Sequence, residues 1–351
     1  MNKLILIGNG FDLAHGLKTS YKDFILWYLH EIIVFYQHNN KYNDQLFYAK
    51  QVGYIHSISV DQLENIAEFK GYFEKNGIEI RFNSEFFKII YDRTSLERWV
   101  DVEFLYFETL KSIVKEINDG NEESLNNAIL KVEKLNNDLV FLKDKLKQYL
   151  QSLGDLSSHR KNKIADRFRE IMVNRSSTQP NVLCLNFNYT DLIYNYASDL
   201  YINAAESATS VVNIHGGFND ENNPMIFGFG DEIDPVYRQL ENLPENKFRD
   251  HIKSFWYLKT ENYRKLIDFC EDLPFDVYIM GHSCGLSDRV LLNYIFEHKY
   301  CNRIKIFYHN RPNGTNDFFE KTQEISRHFT AANKAEMRKR IISFNNSKSL
   351  L

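Results

Sequence analysis

The chain has 351 residues, of which 43% are hydrophobic and 26% are charged, a composition typical of a globular protein with a large core. Its net charge of −4 at pH 7 gives no electrostatic footprint for nucleic acid. The four cysteines form no Cys-x-x-Cys pair, so we expect no structural metal site. No apolar run is long enough to span a bilayer and no signal peptide is evident. We therefore expect a cytoplasmic protein with reduced thiols.

A strand followed by a glycine-containing turn comes first in the chain. Leucine and isoleucine fill residues 4–7, which predicts a strand covered on both faces. The turn then reads Gly8-Asn9-Gly10-Phe11-Asp12. Its two glycines would let a phosphate approach the backbone, and the next helix would offer it N–H groups. The dinucleotide fingerprint needs a third glycine where this chain has Leu13, so a plain tight turn is the alternative.

The middle of the chain is predominantly helical by its apolar spacing. We expect helices over 21–36, 61–74, 83–91, 95–117, 125–153 and 161–173, with loop or irregular helix over 37–57. In the longest helix, apolar residues recur in alternating steps of three and four from Leu125 to Leu153. This heptad seam suits packing against the neighbouring long helix or, alternatively, a zipper between two copies of the chain.

From residue 181 the pattern changes to strands that alternate with helices. We expect strands over 181–187, 210–216, 225–228, 275–281 and 303–308, and helices over 191–200, 246–270 and 288–298. This alternation predicts an α/β fold with a mostly parallel sheet and helices on both faces. The first strand and the later strands would share that sheet, and residues 37–180 would form a helical insertion.

Polar residues cluster directly after the predicted strands, where doubly wound sheets bind ligands. They are Asn9, Asp12, Asn186, Asn188, Thr190, Asp191, Asn213, His215, Asp231, Glu232, His282, Ser283, Ser287 and Asp288. Taken singly, each has a structural explanation, such as a helix cap at Asp12 or Asp288 or a turn at His215. A histidine at a strand end also titrates in the range that acid–base catalysis uses. We therefore interpret His215 as the main catalytic candidate.

A competing motif lies after the strand predicted over 275–281. Gly281-His282-Ser283-Cys284-Gly285 matches the Gly-x-Ser-x-Gly nucleophile elbow. It would make Ser283 a nucleophile, with His309 or His328 as the base. The best helix start in this region is Ser287-Asp288, whereas the helix of an elbow begins at the nucleophile. A serine hydrolase is therefore the lesser alternative.

Several segments together resemble the bacteriophage abortive infection AbiH family. They are IGNGFDLAHGLKTSYKDF from residue 7, WVDVE from 99, LNFNYTDLIYNY from 185, IHGGFNDENNPMIFGFGDE from 214 and MGHSCGLSDRVLL from 280. The same set is similar, more distantly, to the SIR2-like fold of sirtuins and anti-phage NAD-cleaving proteins. That resemblance implies a SIR2-like, Rossmann-type domain formed by 1–36 and 181–351, with 37–180 as an insertion containing a long antiparallel helical hairpin.

The SIR2-like resemblance also implies where the site lies. Phe187-Asn188-Tyr189-Thr190-Asp191 matches the Thr-Asn-Tyr-Asp motif, and His215-Gly216 matches the pair that carries the essential histidine. Gly281-His282-Ser283, with Asp288 after it, matches the later glycine–serine turn. Asp12 replaces the serine of the first turn, and the sirtuin zinc cysteines are missing, which argues against a protein deacetylase.

The resemblance implies an anti-phage effector that binds NAD or a related nucleotide as its substrate and cleaves the nicotinamide–ribose bond without a metal. Asn188 would orient the ribose or a water, His215 would hold or deprotonate a ribose hydroxyl or that water, and Asp12 completes the catalytic set. The expected binding residues are Gly8, Asn9, Gly10, Phe11, Asp191, Gly281, His282, Ser283 and Asp288. The alternative is a catalytically silent nucleotide sensor that engages a phage or host protein through the insertion. A toxic effector also needs restraint, which a homo-oligomer or a lid formed by the insertion would provide.

Overall fold

A computed structural model of the protein describes residues 1–53, 63–96, 101–117, 121–173, 180–202 and 209–351. In these residues the strands are β1 (Asn2–Ile7), β2 (Lys41–Asn43), β3 (Phe47–Gln51), β4 (Ile78–Phe82), β5 (Val182–Asn186), β6 (Thr209–Asn213), β7 (Phe275–Met280), β8 (Cys301–Tyr308) and β9 (Lys348–Ser349). The α-helices are α1 (Asn9–Ala14), α2 (Tyr21–Asn39), α3 (Ile66–Lys75), α4 (Glu85–Leu96), α5 (Val102–Lys115), α6 (Glu122–Ser152), α7 (Asn162–Met172), α8 (Pro235–Asn242), α9 (Lys253–Trp256), α10 (Asn262–Asp272), α11 (Arg289–Glu297), α12 (Phe318–Ser326) and α13 (Lys334–Arg340). Short 3₁₀ helices lie at Leu192–Tyr196, Asn246–Arg249, Tyr257–Lys259, Leu286–Asp288, Ala331–Asn333 and Phe344–Asn346.

The chain forms two compact units, each assembled from separate stretches of sequence. The first unit contains Met1–Lys18, Leu153–Ile233 and Ile252–Leu351, and the second contains Thr19–Ser152 and Asp234–His251. Helix α7 therefore belongs to the first unit and α8 to the second, a division that the apolar pattern does not predict.

The sheet of the first unit has six strands in the order β6-β5-β1-β7-β8-β9. Every neighbouring pair in it is parallel, which confirms the predicted α/β class with a mostly parallel sheet. The first strand of the chain is central, since β1 pairs with β5 on one side and with β7 on the other. The carboxyl ends of β6, β5, β1 and β7 consequently meet along one edge of the sheet.

Both faces of β1 are covered, as its uninterrupted apolar run predicts. Leu4 and Leu6 lie in one core cluster with side chains of α10 and α11. Ile5 and Ile7 lie in a second cluster with side chains of α7. All four are fully buried, and burial of each such side chain contributes roughly 1.5–3 kcal/mol. These two clusters fix β1 between two helical layers.

The second unit contains a three-stranded antiparallel sheet, β2-β3-β4, beside its helices. The interpretation of residues 37–57 as loop or irregular helix is therefore wrong over 41–43 and 47–51, with 44–46 as the loop between the two strands; residues 54–57 lie outside the described ranges. In β3, buried Phe47 and Ala49 alternate with the more exposed Tyr48 and Lys50, which is the period of a half-buried strand. Because β3 has only five residues and aromatic residues continue on both sides of it, the alternation is too short to be recognised in the sequence.

The longest helix, α6, packs inside the second unit. Its seam residues Val132, Leu139 and Leu146 are buried, and the helix contacts α5, α2 and α4. The helix predicted over 125–153 is confirmed, and the alternating spacing reflects its internal packing face.

Two predicted helices are shorter than their apolar spacing indicates. The helix predicted over 95–117 begins only at Val102, because Asp101 caps it by accepting a hydrogen bond of 3.0 Å from the Phe104 amide; residues 97–100 lie outside the described ranges. The helix predicted over 246–270 is interrupted at Ile252, which is extended and bridges Phe229. After it the chain forms the four-residue helix α9, a 3₁₀ turn and then the longer helix α10.

Two further elements differ from prediction. The segment 225–228 is buried as irregular backbone that no sheet strand pairs, and its Ile226 amide donates to the His215 carbonyl at 2.8 Å. An apolar run is buried with or without a sheet partner, so the pattern cannot distinguish the two. The helix predicted over 191–200 is a 3₁₀ helix at Leu192–Tyr196.

The remaining predicted helices and strands are present with shifted ends. No helix in the described ranges combines the length and the apolarity needed to cross a bilayer.

Candidate functional site

The three predicted catalytic residues and one predicted binding residue, His282, lie at the carboxyl ends of adjacent strands. Asp12 is in α1 directly after β1, Asn188 follows β5, His215 follows β6 and His282 follows β7. Their exposed fractions lie between 1% and 7%. The structure therefore brings them to one edge of the sheet, where they form two groups of contacts.

The first group is built around the Asp12 carboxyl. Asn188 Nδ2 donates to Asp12 Oδ1 at 2.8 Å, and Thr190 Oγ1 donates to Asp12 Oδ2 at 2.7 Å. The same Asn188 amide also donates to the Gly8 carbonyl at 3.2 Å. These bonds join the turn after β5 to the turn after β1, and Asn188 is the residue that bridges them.

Asn186, the last residue of β5, shapes the turn that carries these donors. Its Oδ1 accepts from the Asn188 amide at 3.2 Å, and its Nδ2 lies 3.2 Å from the Thr190 carbonyl oxygen. It also donates at 3.0 Å to Asn213 Oδ1, at the matching position of β6. A buried asparagine at the strand end thus holds Asn188 and Thr190 towards Asp12.

The environment of Asp12 raises its pKa to about 7. Burial disfavours the charged carboxylate, and the hydrogen bonds from Thr190 and Asn188 offset only part of that penalty. A carboxyl group with this pKa changes protonation near neutral pH, the range in which a general acid or base operates.

The Asp12→Asn variant is expected to flatten the dependence of stability on pH. The Asp12 carboxyl of the folded wild type keeps its proton up to about pH 7, whereas the ordinary pKa of a solvated aspartate is 3.8. The stabilising contribution is therefore complete below about pH 4 and is lost as pH rises towards 7, by up to about 1.4 kcal/mol per pH unit. Urea unfolding midpoints between pH 5 and 8 measure this slope. The control is Asp268→Asn, at an exposed position of α10, and equal slopes in wild type and Asp12→Asn would contradict the expectation.

The second group is built around the Asp288 carboxyl. His215 Nε2 and Lys253 Nζ each lie 3.0 Å from the same oxygen, Asp288 Oδ1. His215 Nε2 also lies 3.2 Å from the Tyr257 hydroxyl oxygen, and its Nδ1 lies 3.1 Å from the Phe187 carbonyl oxygen. Every polar atom of the His215 ring therefore faces a protein group.

The charges of this group shift two pKa values downward. Burial alone would raise the pKa of Asp288, but the Lys253 ammonium and His215 hold it well below its usual range. Burial lowers the pKa of His215, and the positive charge of Lys253 lowers it further, against the opposing effect of Asp288. The arrangement favours an ionised aspartate beside a neutral histidine.

His282 completes the second group from the turn after β7. Its Nδ1 accepts a hydrogen bond of 2.9 Å from the Cys284 amide, so a neutral ring carries its proton on Nε2. That atom lies 3.5 Å from Asp288 Oδ2. The Phe187 ring packs against His282 and His215, with centroid distances of 4.1 and 5.2 Å.

Lys253 and Tyr257 belong to this group although the sequence pattern does not identify them. Both fall in the region predicted as one helix, where a lysine is expected to be solvated. The Lys253 side chain is instead completely buried. Its position depends on the extended residue Ile252, whose bridge to Phe229 redirects the chain. No local pattern signals such a tertiary interruption.

The glycines of the two turns let the backbones of β1 and β7 approach each other. The Gly10 amide donates to the Gly281 carbonyl at 2.8 Å. A Cβ on Gly8 would lie 2.5 Å from His282 Cα, and one on Gly10 would lie 2.6 Å from the Gly281 oxygen. Glycine is required here for this close packing, a reason that differs from the phosphate approach expected from the sequence.

The other predicted binding residues are more dispersed. The Phe11 ring is buried in the core against His15, Phe168 and Tyr196. Asp191 is exposed before the 3₁₀ helix. Ser283 is exposed, and its Oγ accepts from the Gly285 amide at 3.3 Å. Asn9 is partly buried at the start of α1.

Across the described ranges, no group of three or more His, Cys, Asp or Glu side chains has the arrangement of a metal site. A family model described as Bacteriophage abortive infection AbiH matches residues 4–310 of the chain. That range includes both groups of site contacts, from Asp12 to Asp288. Comparison with curated proteins found no match.

Proposed function

Because the chain belongs to the bacteriophage abortive infection AbiH family, we propose that it is a phage-defence effector that hydrolyses the N-glycosidic bond of a nucleotide, with NAD as the first candidate. The observation that carries this proposal is the placement of two buried carboxyl groups, Asp12 beside Asn188 and Asp288 beside His215, at the carboxyl ends of neighbouring parallel strands. The pKa of Asp12 is raised to about 7, and that of Asp288 is held well below its usual range. Acid–base sites commonly separate two titratable groups in this way.

The order of the strands supports a nucleotide ligand. Starting from β1, the sheet grows outward through β5 and β6 on one side and through β7, β8 and β9 on the other. This is the order of doubly wound, Rossmann-type sheets, and it is compatible with the proposed SIR2-like relationship. In such sheets the ligand binds outside the carboxyl ends near the point where the order reverses. Here that point lies between β1 and β7.

The proposed reaction breaks the bond between ribose C1′ and the nicotinamide nitrogen. The bonding electron pair moves into the nicotinamide ring and neutralises its positive charge, so the leaving group needs no proton. A water oxygen forms the new bond to C1′, and its proton passes to His215 Nε2. Asn188 would orient the ribose or the water, and Asp12 as a carboxylate would stabilise the oxocarbenium-like transition state.

The pyrophosphate role expected for Gly8, Asn9 and Gly10 fits this geometry less well. The Gly10 amide already donates to the Gly281 carbonyl, so a phosphate would have to displace that bond. The acid–base groups therefore support the proposed hydrolysis more strongly than the turn Gly8-Asn9-Gly10 does. That turn supports it only because it lies where the strand order reverses, between β1 and β7.

One observation favours a catalytically silent sensor as the second candidate. Both carboxylate oxygens of Asp12 and both ring nitrogens of His215 already face protein groups. A self-satisfied site of this kind would bind a nucleotide only after rearrangement, which suits a protein that responds to a phage or host trigger.

The contacts of Ser283 give little support to a serine hydrolase. Its hydroxyl accepts from the Gly285 amide, and the adjacent His282 ring is directed to the Cys284 amide and to Asp288. Helix α11 begins at Arg289, later than the helix of a nucleophile elbow.

The test is incubation of purified protein with NAD, with free nicotinamide measured by chromatography and nucleotide binding measured by calorimetry. Nicotinamide release in proportion to enzyme concentration is the result we expect. Binding without release, for NAD and for a panel of other nucleotides, would establish the sensor instead. If the folded protein neither binds a nucleotide nor releases nicotinamide, both candidates are wrong.

A further inference from the structure

A single carboxylate in the site is shared by two basic side chains. Lys253 Nζ and His215 Nε2 each lie 3.0 Å from Asp288 Oδ1. All three side chains are at least nine-tenths buried, and that of Lys253 is completely buried. Water therefore screens their mutual interactions only weakly.

The net charge of the three side chains determines how readily His215 takes up a proton. With Lys253 as an ammonium and Asp288 as a carboxylate, the buried pair is neutral. A proton added to His215 then introduces a net positive charge into a low-dielectric environment, which is unfavourable. If Lys253 carried no charge, the same proton would neutralise Asp288. The two bases therefore compete for one negative charge.

The hydrogen-bond geometry shows which nitrogen of His215 this competition affects. The Phe187 carbonyl oxygen, 3.1 Å from His215 Nδ1, can only accept, so it places a proton on that nitrogen. The proton in question is the second one, on Nε2, the atom that faces Asp288 and Tyr257. Without a competing cation, both ring nitrogens would have acceptors and the imidazolium would be favoured.

We propose that Lys253 is the positioning residue that keeps His215 unprotonated and thereby able to accept a proton at Nε2. The titratable groups around His215 are Asp288 before α11, Lys253 of α9, Tyr257 of the following 3₁₀ helix, His282 after β7 and Tyr189 after β5, whose hydroxyl donates to the Ile226 carbonyl. Among them Lys253 is the group placed to neutralise Asp288 in advance. Asp288 can then stabilise the imidazolium once the reaction has formed it, because its carboxylate faces Nε2, the nitrogen that receives the proton.

This inference rests on the proposed function only in that the neutral His215 serves as the proton acceptor of the reaction; its protonation state does not depend on that function. The experiment therefore reads the protonation of His215 directly, by NMR of histidine-labelled protein, with the His215 signal assigned by its absence in His215→Asn. In the folded wild type we expect the His215 signal to remain that of a neutral ring at pH 7. An imidazolium signal at that pH would overturn the inference without any other variant.

Two substitutions then test the role of Lys253. Lys253→Met removes the charge while keeping a similar volume, and we expect the proton affinity of His215 to rise by about tenfold or more. Lys253→Arg keeps the charge and should retain a neutral His215. The double variant Lys253→Met/Asp288→Asn removes both charges and should reverse the rise seen in Lys253→Met.

The matched control is Lys321→Met in α12. Lys321 Nζ donates to the His282 carbonyl at 2.7 Å and so contacts the same region through a different residue. The Lys321→Met variant should leave the His215 titration unchanged. If the proton affinity of His215 is the same in wild type and in Lys253→Met, the inference is wrong. If Lys253→Met does not fold, Lys253→Gln, which also removes the charge, takes its place: the same rise in the proton affinity of His215 supports the inference, and an unchanged titration overturns it.

Nicotinamide release measured on the same samples separates this inference from the proposed function. A neutral His215 that becomes charged in Lys253→Met, in a protein that releases no nicotinamide, would support the electrostatic role and contradict the hydrolase. If nicotinamide is released but Lys253→Met leaves the His215 titration unchanged, the hydrolase is supported and the electrostatic role of Lys253 is contradicted.

Discussion

Replacing His215 with alanine is expected to reduce nicotinamide release from NAD by about 10²–10⁴-fold, the usual contribution of a general base, while the protein remains folded. Burial and the Lys253 charge lower the pKa of the His215 imidazole beside the Asp288 carboxylate, so its loss removes the proposed proton acceptor. The measurement is the steady-state rate at saturating NAD, with folding followed by circular dichroism. The Asp288 carboxylate and the Lys253 ammonium still pair in this variant, so no isolated charge is left in the core.

The matched control is His309→Ala. His309 lies in the same unit but is exposed, and it is one of the two residues, with His328, that the serine-hydrolase alternative would use as its base. Retained activity in His309→Ala with lost activity in His215→Ala is the expected outcome. The reverse result would favour the hydrolase, and undiminished activity in His215→Ala would remove this residue from the mechanism.

Gly281→Ala is expected to destabilise the first unit by more than about 3 kcal/mol, through backbone strain and overpacking together. Gly281 has a φ of 77°, and a Cβ there would lie 2.1 Å from the Phe11 nitrogen. The obstructing atom is backbone of α1 and cannot rotate away. The turn after β7 would have to separate from the turn after β1, breaking the bond between Gly10 and Gly281.

The matched control for this prediction is Gly154→Ala. Gly154 has a similar φ of 73°, but a Cβ added there would have no atom within 4 Å of it. It therefore isolates the cost of left-handed backbone, roughly 1–2 kcal/mol. Chemical denaturation of both variants measures the difference, and equal losses of stability would show that the close approach of the two turns is unimportant.

The sheet and most of the site edge could be predicted from the sequence because their signals are local. Each buried strand is a short apolar run followed by polar residues, and the parallel arrangement brings those residues together. Asp12, Asn188 and His215 were therefore identifiable without the structure. Their roles in NAD hydrolysis stay a prediction until turnover is measured.

What could not be predicted depends on contacts between distant segments. Lys253 reads as an ordinary surface lysine until the bridge between Phe229 and Ile252 turns it inward. The glycines at 8 and 10 suit a phosphate-binding turn equally well until the backbone of Gly281 is seen to occupy that space. In both cases the sequence specifies a local possibility, and a tertiary neighbour selects among the alternatives.

The central place of β1 in its sheet has a consequence for synthesis on the ribosome. Strand β5 leaves the ribosome about 180 residues after β1, and β7 about 270 residues after it. At bacterial-type elongation rates of about 5–20 residues per second, β1 waits roughly 15–55 s for its second neighbour. The contiguous stretch Thr19–Ser152 of the other unit emerges well before then. Since the site draws on residues from Asp12 to Asp288, we expect a nascent or prematurely terminated chain that lacks residue 288 to carry no complete site.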